Sequence, residues 1–288
     1  MSRGVVLLAL GYPIYCNWAA QLAASIHYSA PDVKIALLTD GKATKEIAPQ
    51  YLKHISEIIE IPEECYTKEG MSNYLKAKTY LYDYSPFDET IFLDADMIWL
   101  PYKPITQLFG KEYDFTMISR SDEPIETKNN TLIFWAKPSD LLETFPHIAG
   151  KHLYNVSSEF IYFKKTARIK KFFELVKSFY VEPKVAYRDF GLQVPDELAY
   201  TLAMLHSDIK PHENVYVPIY WEQHQRKRMQ LSEMYNQFYG YSIGGNVVDP
   251  ITAKTFNDLA QMYSERLKLG FYYPVRSKVE FVRERKNV

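Results

Sequence analysis

Hydrophobic and polar positions in the first hundred residues alternate between two periods, and the alternation predicts an α/β sheet with crossover helices. Gly4 to Leu10 is a continuous apolar run that reads as a buried opening strand. Trp18, Leu22 and Ile26 recur every fourth residue, with Ala19 and Ala23 beside them, and predict an amphipathic helix over Tyr15 to Ser29. Lys34 to Thr39 predicts a second strand, Lys45 to Tyr51 a short helix, and Ile55 to Ile61 a third strand closed by Pro62. Met71 to Tyr82 reads as helical, and Thr90 to Leu93 as a short apolar strand. Further along, strands are expected at Asp114 to Ser119, Thr131 to Ala136 and Glu159 to Phe163. Helices are expected around Ile169 to Val176, Asp196 to His206, Arg226 to Phe238 and Thr255 to Leu267. The expected organisation is one domain over 1–210, with halves of about 1–110 and 111–210, followed by a helical extension over 211–288.

Composition narrows the function classes. With 288 residues the chain can bury a substantial core, and a formal charge of -1 gives no global attraction to nucleic acid or anionic membrane. Nucleic acid is therefore an unfavoured partner, although not excluded as an acceptor. The clusters Arg226-Lys227-Arg228 and Arg283 to Lys286 read as solvated faces or tails. Tyrosine is abundant, at 24 residues, which suits stacking on sugars or bases as well as half-buried packing. Two cysteines, Cys16 and Cys65, cannot form a disulfide framework or a metal motif, and point to a reducing, cytoplasmic setting. No run approaches the about 20 apolar residues that a membrane-spanning helix needs.

The strongest chemical feature is Thr90-Ile-Phe-Leu-Asp94-Ala95-Asp96-Met-Ile-Trp-Leu100, two carboxylates flanked on both sides by apolar residues. Ligands of α/β sheets bind beyond the carboxyl ends of strands, where this pair emerges. Carboxylate oxygens suit a hard cation such as Mg²⁺ or Mn²⁺, and two acidic groups beside a buried strand are costly without a partner. The plain alternative for an Asp-x-Asp is a turn or cap.

The stretch Lys76-Ala-Lys78-Thr-Tyr-Leu-Tyr-Asp-Tyr84, running on through the Asp-x-Asp strand, resembles the glycogenin and bacterial galactosyltransferase group (family eight-like) of GT-A glycosyltransferases. So do the opening strand with Tyr12 and Tyr15, the residues Ala19, Leu22 and Ser25, and the short helix at Ile105 to Phe109. The match covers about residues 4 to 109. It implies a GT-A-type fold, a Rossmann-like mixed central sheet with flanking helices and a helical C-terminal part. It implies a metal-dependent glycosyltransferase taking a sugar from a nucleoside-diphosphate donor, a UDP-sugar by preference, to an acceptor hydroxyl with retention of configuration. Asp94 and Asp96 would bind Mn²⁺ or Mg²⁺, Ala95 and Lys78 would contact the donor, with Lys76 as the rival lysine, and Leu8, Ala9, Leu10, Tyr12 and Tyr15 would cradle the nucleotide. Asn155, Ser157 and Ser158, with Glu159, resemble a segment beside the donor sugar and are expected just before a strand. Asp196 and Glu197 resemble a later acidic-amide pair; with Glu159 they are the candidate catalytic carboxylates, while an N-terminal cap is the alternative for Asp196. His224, or His212, is the candidate third metal ligand. Phe238 to Asn246 is a second candidate for closing the site, with a structural turn as the alternative. The rival readings are a sugar nucleotidyltransferase and a non-catalytic nucleotide- or carbohydrate-binding protein of the same fold. Gly11-Tyr12-Pro13-Ile14, neither glycine-rich nor basic, disfavours the nucleotidyltransferase.

Overall fold

The computed structural model describes residues 1–42, 44–127, 135–189, 193–212, 238–244 and 247–277. The chain divides into two compact units: Met1–Ser2, Ile61–Phe92 and Lys111–Tyr216 form one, and Arg3–Glu60, Leu93–Gly110 and Val217–Val288 the other. Six strands make one mixed sheet, β1 (Arg3–Ala9), β2 (Lys34–Thr39), β3 (Glu57–Glu60), β6 (Glu89–Asp94), β8 (Phe115–Pro124) and β9 (His152–Lys164), in the order β3-β2-β1-β6-β9-β8. β1, β2 and β3 are parallel, in register from Gly4↔Lys34 to Ala9↔Thr39 and from Ala36↔Glu57 to Thr39↔Glu60, whereas β8 and β9 are antiparallel. Helices flank this mixed sheet.

In the unit containing β1 to β3, α1 (Pro13–Ser29) starts at a proline, whose missing N–H costs nothing at the first helical position. Trp18 through Ile26 are all buried, so this helix is covered on every side rather than amphipathic. Its alanines allow neighbours to approach closely all round. The expected helix over Lys45 to Tyr51 is a 3₁₀ turn at Thr44–Glu46 followed by α2 (Pro49–Leu52). β3 lies at the sheet edge with Glu57, Ile58 and Glu60 exposed, and its charges protect that edge from further pairing.

A histidine pair joins α1 to the segment after α2. His27 Nε2 lies 2.8 Å from the Val33 carbonyl and must donate to it. Its Nδ1 then accepts from His54 Nδ1 at 3.1 Å. Burial, then His27, then Lys53 push the His54 pKa down to about 4. An unfolded chain binds this proton near pH 6.5 and the folded one does not, so His54 stabilises the fold above that range and the contribution is lost as pH falls towards 4. Stability to urea is expected to decline by up to a few kcal/mol between pH 6.5 and 4. His54→Gln should flatten that decline, and an unchanged slope in the variant would contradict the assignment.

In the other unit the segment expected to be one helix over Met71 to Tyr82 is three elements. β4 (Thr67–Lys68) and β5 (Met71–Ser72) form a hairpin, a 3₁₀ helix covers Tyr74–Tyr80, and α3 spans Leu81–Tyr84. Glu69 and Gly70 both have positive φ, 53° and 77°, the geometry of a two-residue hairpin turn, and this turn removes Met71 from any helix. β8 and β9 are followed by α5 (Ala167–Val181), in which Thr166 caps Ile169 N and Ile169, Phe172, Phe173 and Val176 face inward. Before β9 lies α4 (Pro138–Thr144), and after α5 lies α6 (Asp196–Leu205). Of the strand expected at Thr131 to Ala136, 131–134 lie outside the described residues, and Ala136 makes an isolated bridge to Tyr187.

The described residues beyond 237 hold short strands as well as a long helix. β7 (Met97–Trp99) pairs with β10 (Gly240–Ser242), β11 (Val247–Val248) pairs with β12 (Arg276–Ser277), and α7 (Pro250–Arg266) lies between β11 and β12 in the chain. The helix expected over Arg226 to Phe238 falls outside the described residues apart from Phe238, as do both basic clusters. No helix among the described residues is long and apolar enough to cross a membrane.

Candidate active site

β6 is buried from Glu89 to Leu93, and its last residue, Asp94, emerges half-buried at the strand's carboxyl end. Ala95 is buried, Asp96 is half-buried, and the apolar residues after them form β7. This second apolar segment anchors the carboxylate pair. Gly240↔Trp99, Tyr241↔Ile98 and Ser242↔Met97 pair in register, and Ile243 N donates to the Asp96 carbonyl at 3.0 Å. Trp99 N donates to Ser25 Oγ at 2.9 Å, and Tyr263 Oη donates to the Trp99 carbonyl at 2.7 Å. Ile98, Leu100, Tyr241 and Ile243 join Trp18 and Phe256 in one core. The 238–244 segment therefore supports the acidic turn from its backbone; Gly245 and Asn246 lie outside the described residues. A β-carbon at Gly240 would sit 2.9 Å from Met97 Sδ, so a larger residue there would have to displace that side chain.

In the same unit, β1 ends at Ala9, Leu8 is half-buried, and Leu10 and Gly11 turn the chain into α1. Gly11 has φ +79°, Tyr12 N donates to the Leu10 carbonyl, and Gly11 N donates to Asp40 Oδ2 at 3.1 Å, which ties the turn to the end of β2. Tyr12 is 62% exposed, its ring 6.4 Å from Tyr15, whose ring in turn meets Trp18 edge-on at 5.7 Å. Burial, then Asp96, then Asp94 push the Tyr15 hydroxyl up to about 12. Both carboxylates thus act on the side chain that follows the β1 turn, and acidic and aromatic groups share one corner of this unit.

Lys78, Ser158 and Asp196 come together in the other unit. Lys78 sits on the 3₁₀ helix, 8% exposed, with Nζ donating to Ser158 Oγ at 3.0 Å, 3.5 Å from Asp196 Oδ2 and over the Phe92 ring at 5.7 Å. Tyr200 Oη donates to the Lys78 carbonyl at 2.9 Å. Lys76, the rival, directs Nζ to the Glu64 and Thr67 carbonyls and holds the loop before the hairpin. Asp196 is not the helix cap. Pro195 occupies that position without a side-chain bond, and the Asp196 carboxylate, 3% exposed, is turned to Lys78.

Asn155, Ser157, Ser158 and Glu159 lie within β9 rather than before a strand. Met117 faces Ile161 while the next residue, Ile118, faces Ser157, so Ser158, Glu159 and Phe160 have no partner in register on β8. Such a bulge re-aims side chains, and here Ser158 reaches Lys78 while Ser157 Oγ donates to Glu159 Oε2 at 3.3 Å. Asn155 Oδ1 is buried and accepts no hydrogen bond among the described residues. Glu197, one residue into α6, accepts from Trp135 Nε1 at 2.9 Å. Trp135 was not singled out from the sequence, where no pattern marks it.

His224 lies outside the described residues. In the unit that holds Lys78, His212 N donates to Thr116 Oγ1, and its ring stacks on Tyr113 at 4.1 Å. It lines a cavity of about 430 Å³ with Glu112, Asp114, Arg168 and Lys210 that contains none of the other candidate residues. Among the described residues no group of three His, Cys, Asp or Glu side chains is arranged to hold a metal. The Asp94–Asp96 pair supplies hard oxygen donors at a half-exposed strand end, a donor set whose chemistry suits a hard divalent cation.

This architecture is the GT-A glycosyltransferase fold. The chain is similar to the galactosyltransferase LgtC in complex with donor and acceptor sugar analogs, with a TM-score of 0.56, 13% identity, and 90% of this chain and 95% of that one covered. A second LgtC structure, that of an active-site mutant, gives a TM-score of 0.53 at 12% identity with the same coverage. The bifunctional glycosyltransferase WbbM in its apo form gives 0.50 at 8% identity, covering 85% of this chain and 46% of that one. No protein-family model matches the sequence, and no curated protein does.

Proposed function

We propose that this chain is a glycosyltransferase that moves a sugar from a nucleoside-diphosphate donor, a UDP-sugar by preference, to an acceptor hydroxyl with retention at the anomeric carbon. The observation that carries the reading is the Asp94–Asp96 pair, half-buried at the end of a buried strand. Asp94 and Asp96 would hold a divalent cation, Mn²⁺ or Mg²⁺, which neutralises charge on the departing diphosphate. Tyr12 and Tyr15, with the Leu8–Leu10 backbone, are suited to receive the nucleoside: Tyr12 exposes a ring for stacking, and Tyr15 stays protonated beside the carboxylates.

The buried Lys78–Ser158–Asp196 cluster is assigned to the donor sugar and its phosphate. A lysine held by a carboxylate and a hydroxyl keeps one orientation and adds a fixed positive charge where negative charge develops. Asp196, Glu197 and Glu159 remain the carboxylates assigned to the reacting carbon. Cys16 and Cys65, both buried and unbridged, suit a reducing compartment, and the proposed setting is cytoplasmic.

Calorimetric titration with UDP, with and without Mn²⁺, tests the reading before any acceptor is known. Binding is expected only with the cation. UDP binding of equal strength without metal would favour a non-catalytic nucleotide-binding protein of the same fold.

A further inference from the structure

We infer that Trp135 is a positioning residue for Glu197, acting through its indole N–H, and that the segment carrying Trp135 thereby sets the direction of a carboxylate at the start of α6. The inference rests on the proposed transferase reading and extends it to a residue outside its motifs.

Trp135 Nε1 donates to Glu197 Oε2 at 2.9 Å, a normal length for a bond from a neutral donor to a carboxylate. Indole is a donor only and does not ionise, so it favours one orientation of the acceptor at any working pH. The tryptophan is itself tied from the backbone. Arg188 N donates to the Trp135 carbonyl at 2.7 Å, and Ala136 bridges Tyr187 in antiparallel fashion. Pro138 then opens α4, which gives the segment a rigid continuation. On the acceptor side, Asp196 and Glu197 occupy the first turn of α6, where the helix dipole favours negative charge.

Asp196 faces the Lys78 ammonium, and Glu197 faces the neutral indole. Glu197 is half-buried while Asp196 is buried, so the two occupy different environments one residue apart. The indole N–H is thus a fixed hydrogen-bond donor to Glu197, and the Lys78 ammonium lies beside Asp196. A flexible glutamate needs such a tie, because rotamer freedom at a reacting carboxylate lowers the fraction of productive geometry.

The test compares Trp135→Phe, which keeps an aromatic ring and loses the donor, with Trp135→His, which keeps a ring N–H and loses bulk. Nucleoside-diphosphate release is measured with donor and Mn²⁺. Trp135→Phe is expected to lower kcat about tenfold while donor KM stays within about twofold, and Trp135→His to recover part of that loss. If packing alone mattered, phenylalanine would match or exceed histidine; that ranking, or an unchanged kcat in Trp135→Phe, overturns the inference. Should Trp135→Phe fail to fold, benzothienylalanine at position 135 supplies the same shape without the N–H and is expected to show the same loss. Wild-type protein that releases no nucleoside diphosphate from any donor overturns the transferase reading itself, a result distinct from normal wild-type release with an indifferent Trp135.

Discussion

Asp96→Asn is expected to abolish nucleoside-diphosphate release in the presence of Mn²⁺ while leaving the fold intact. The loss should be at least about 10³-fold, corresponding to roughly 4 kcal/mol of stabilisation removed from the departing diphosphate. The fold survives because the turn is held by groups the substitution does not touch: Ile243 N on the Asp96 carbonyl, Ser25 Oγ on Trp99 N, and β10 along β7. A half-buried Asp-to-Asn change of nearly equal volume should move stability by no more than about 1 kcal/mol. The UDP binding that Mn²⁺ supports should be lost in the same variant. Turnover at the wild-type rate in Asp96→Asn, with an unchanged melting curve, would remove the metal from the reading and the proposed reaction with it.

The second large effect is expected at Lys78. Its ammonium and the Asp196 carboxylate are both withdrawn from water, with side-chain exposures of 10% and 4%. Lys78→Met leaves the carboxylate buried without its cation, and breaking one side of such a pair costs about 3–5 kcal/mol. Lys78→Met combined with Asp196→Leu removes both charges and should regain most of that stability in urea unfolding, because the desolvation penalty disappears with them. The double variant is nevertheless expected to remain inactive in nucleoside-diphosphate release. If Lys78→Met alone is as stable as wild type, the pair does not hold the interior together; if the stable double variant turns over normally, the cluster has no part in the chemistry.

Residues that act through neighbours in the chain were readable from the linear pattern. The apolar runs of β1, β2 and β6, the helical period of α5, and the acidic turn between two buried strands all depend on side chains within a few residues of one another, so composition and spacing determine them. Where local signals compete, the pattern misleads. Met71 to Tyr82 has helical spacing, but the Glu69-Gly70 turn makes a hairpin first, and Lys78 ends on a tighter 3₁₀ turn whose geometry brings it to Ser158. In β9 the serines and asparagine that look like loop residues are absorbed into a long bulged strand, because β8 pairs along it on both sides of the bulge.

The sequence by itself determined the alternating α/β order, the buried opening strand and the placement of Asp94 and Asp96 at a strand end, since each follows from the short-range periodicity of hydrophobic burial. Tertiary structure alone decided that Asp196 faces Lys78 instead of capping its helix, that Trp135 holds Glu197, and that the 238–244 segment braces the acidic turn. These contacts join residues tens to more than a hundred positions apart. Burial leaves a charge or a donor there to find whichever complementary group the fold brings within about 3 Å, and no local pattern records which one that is.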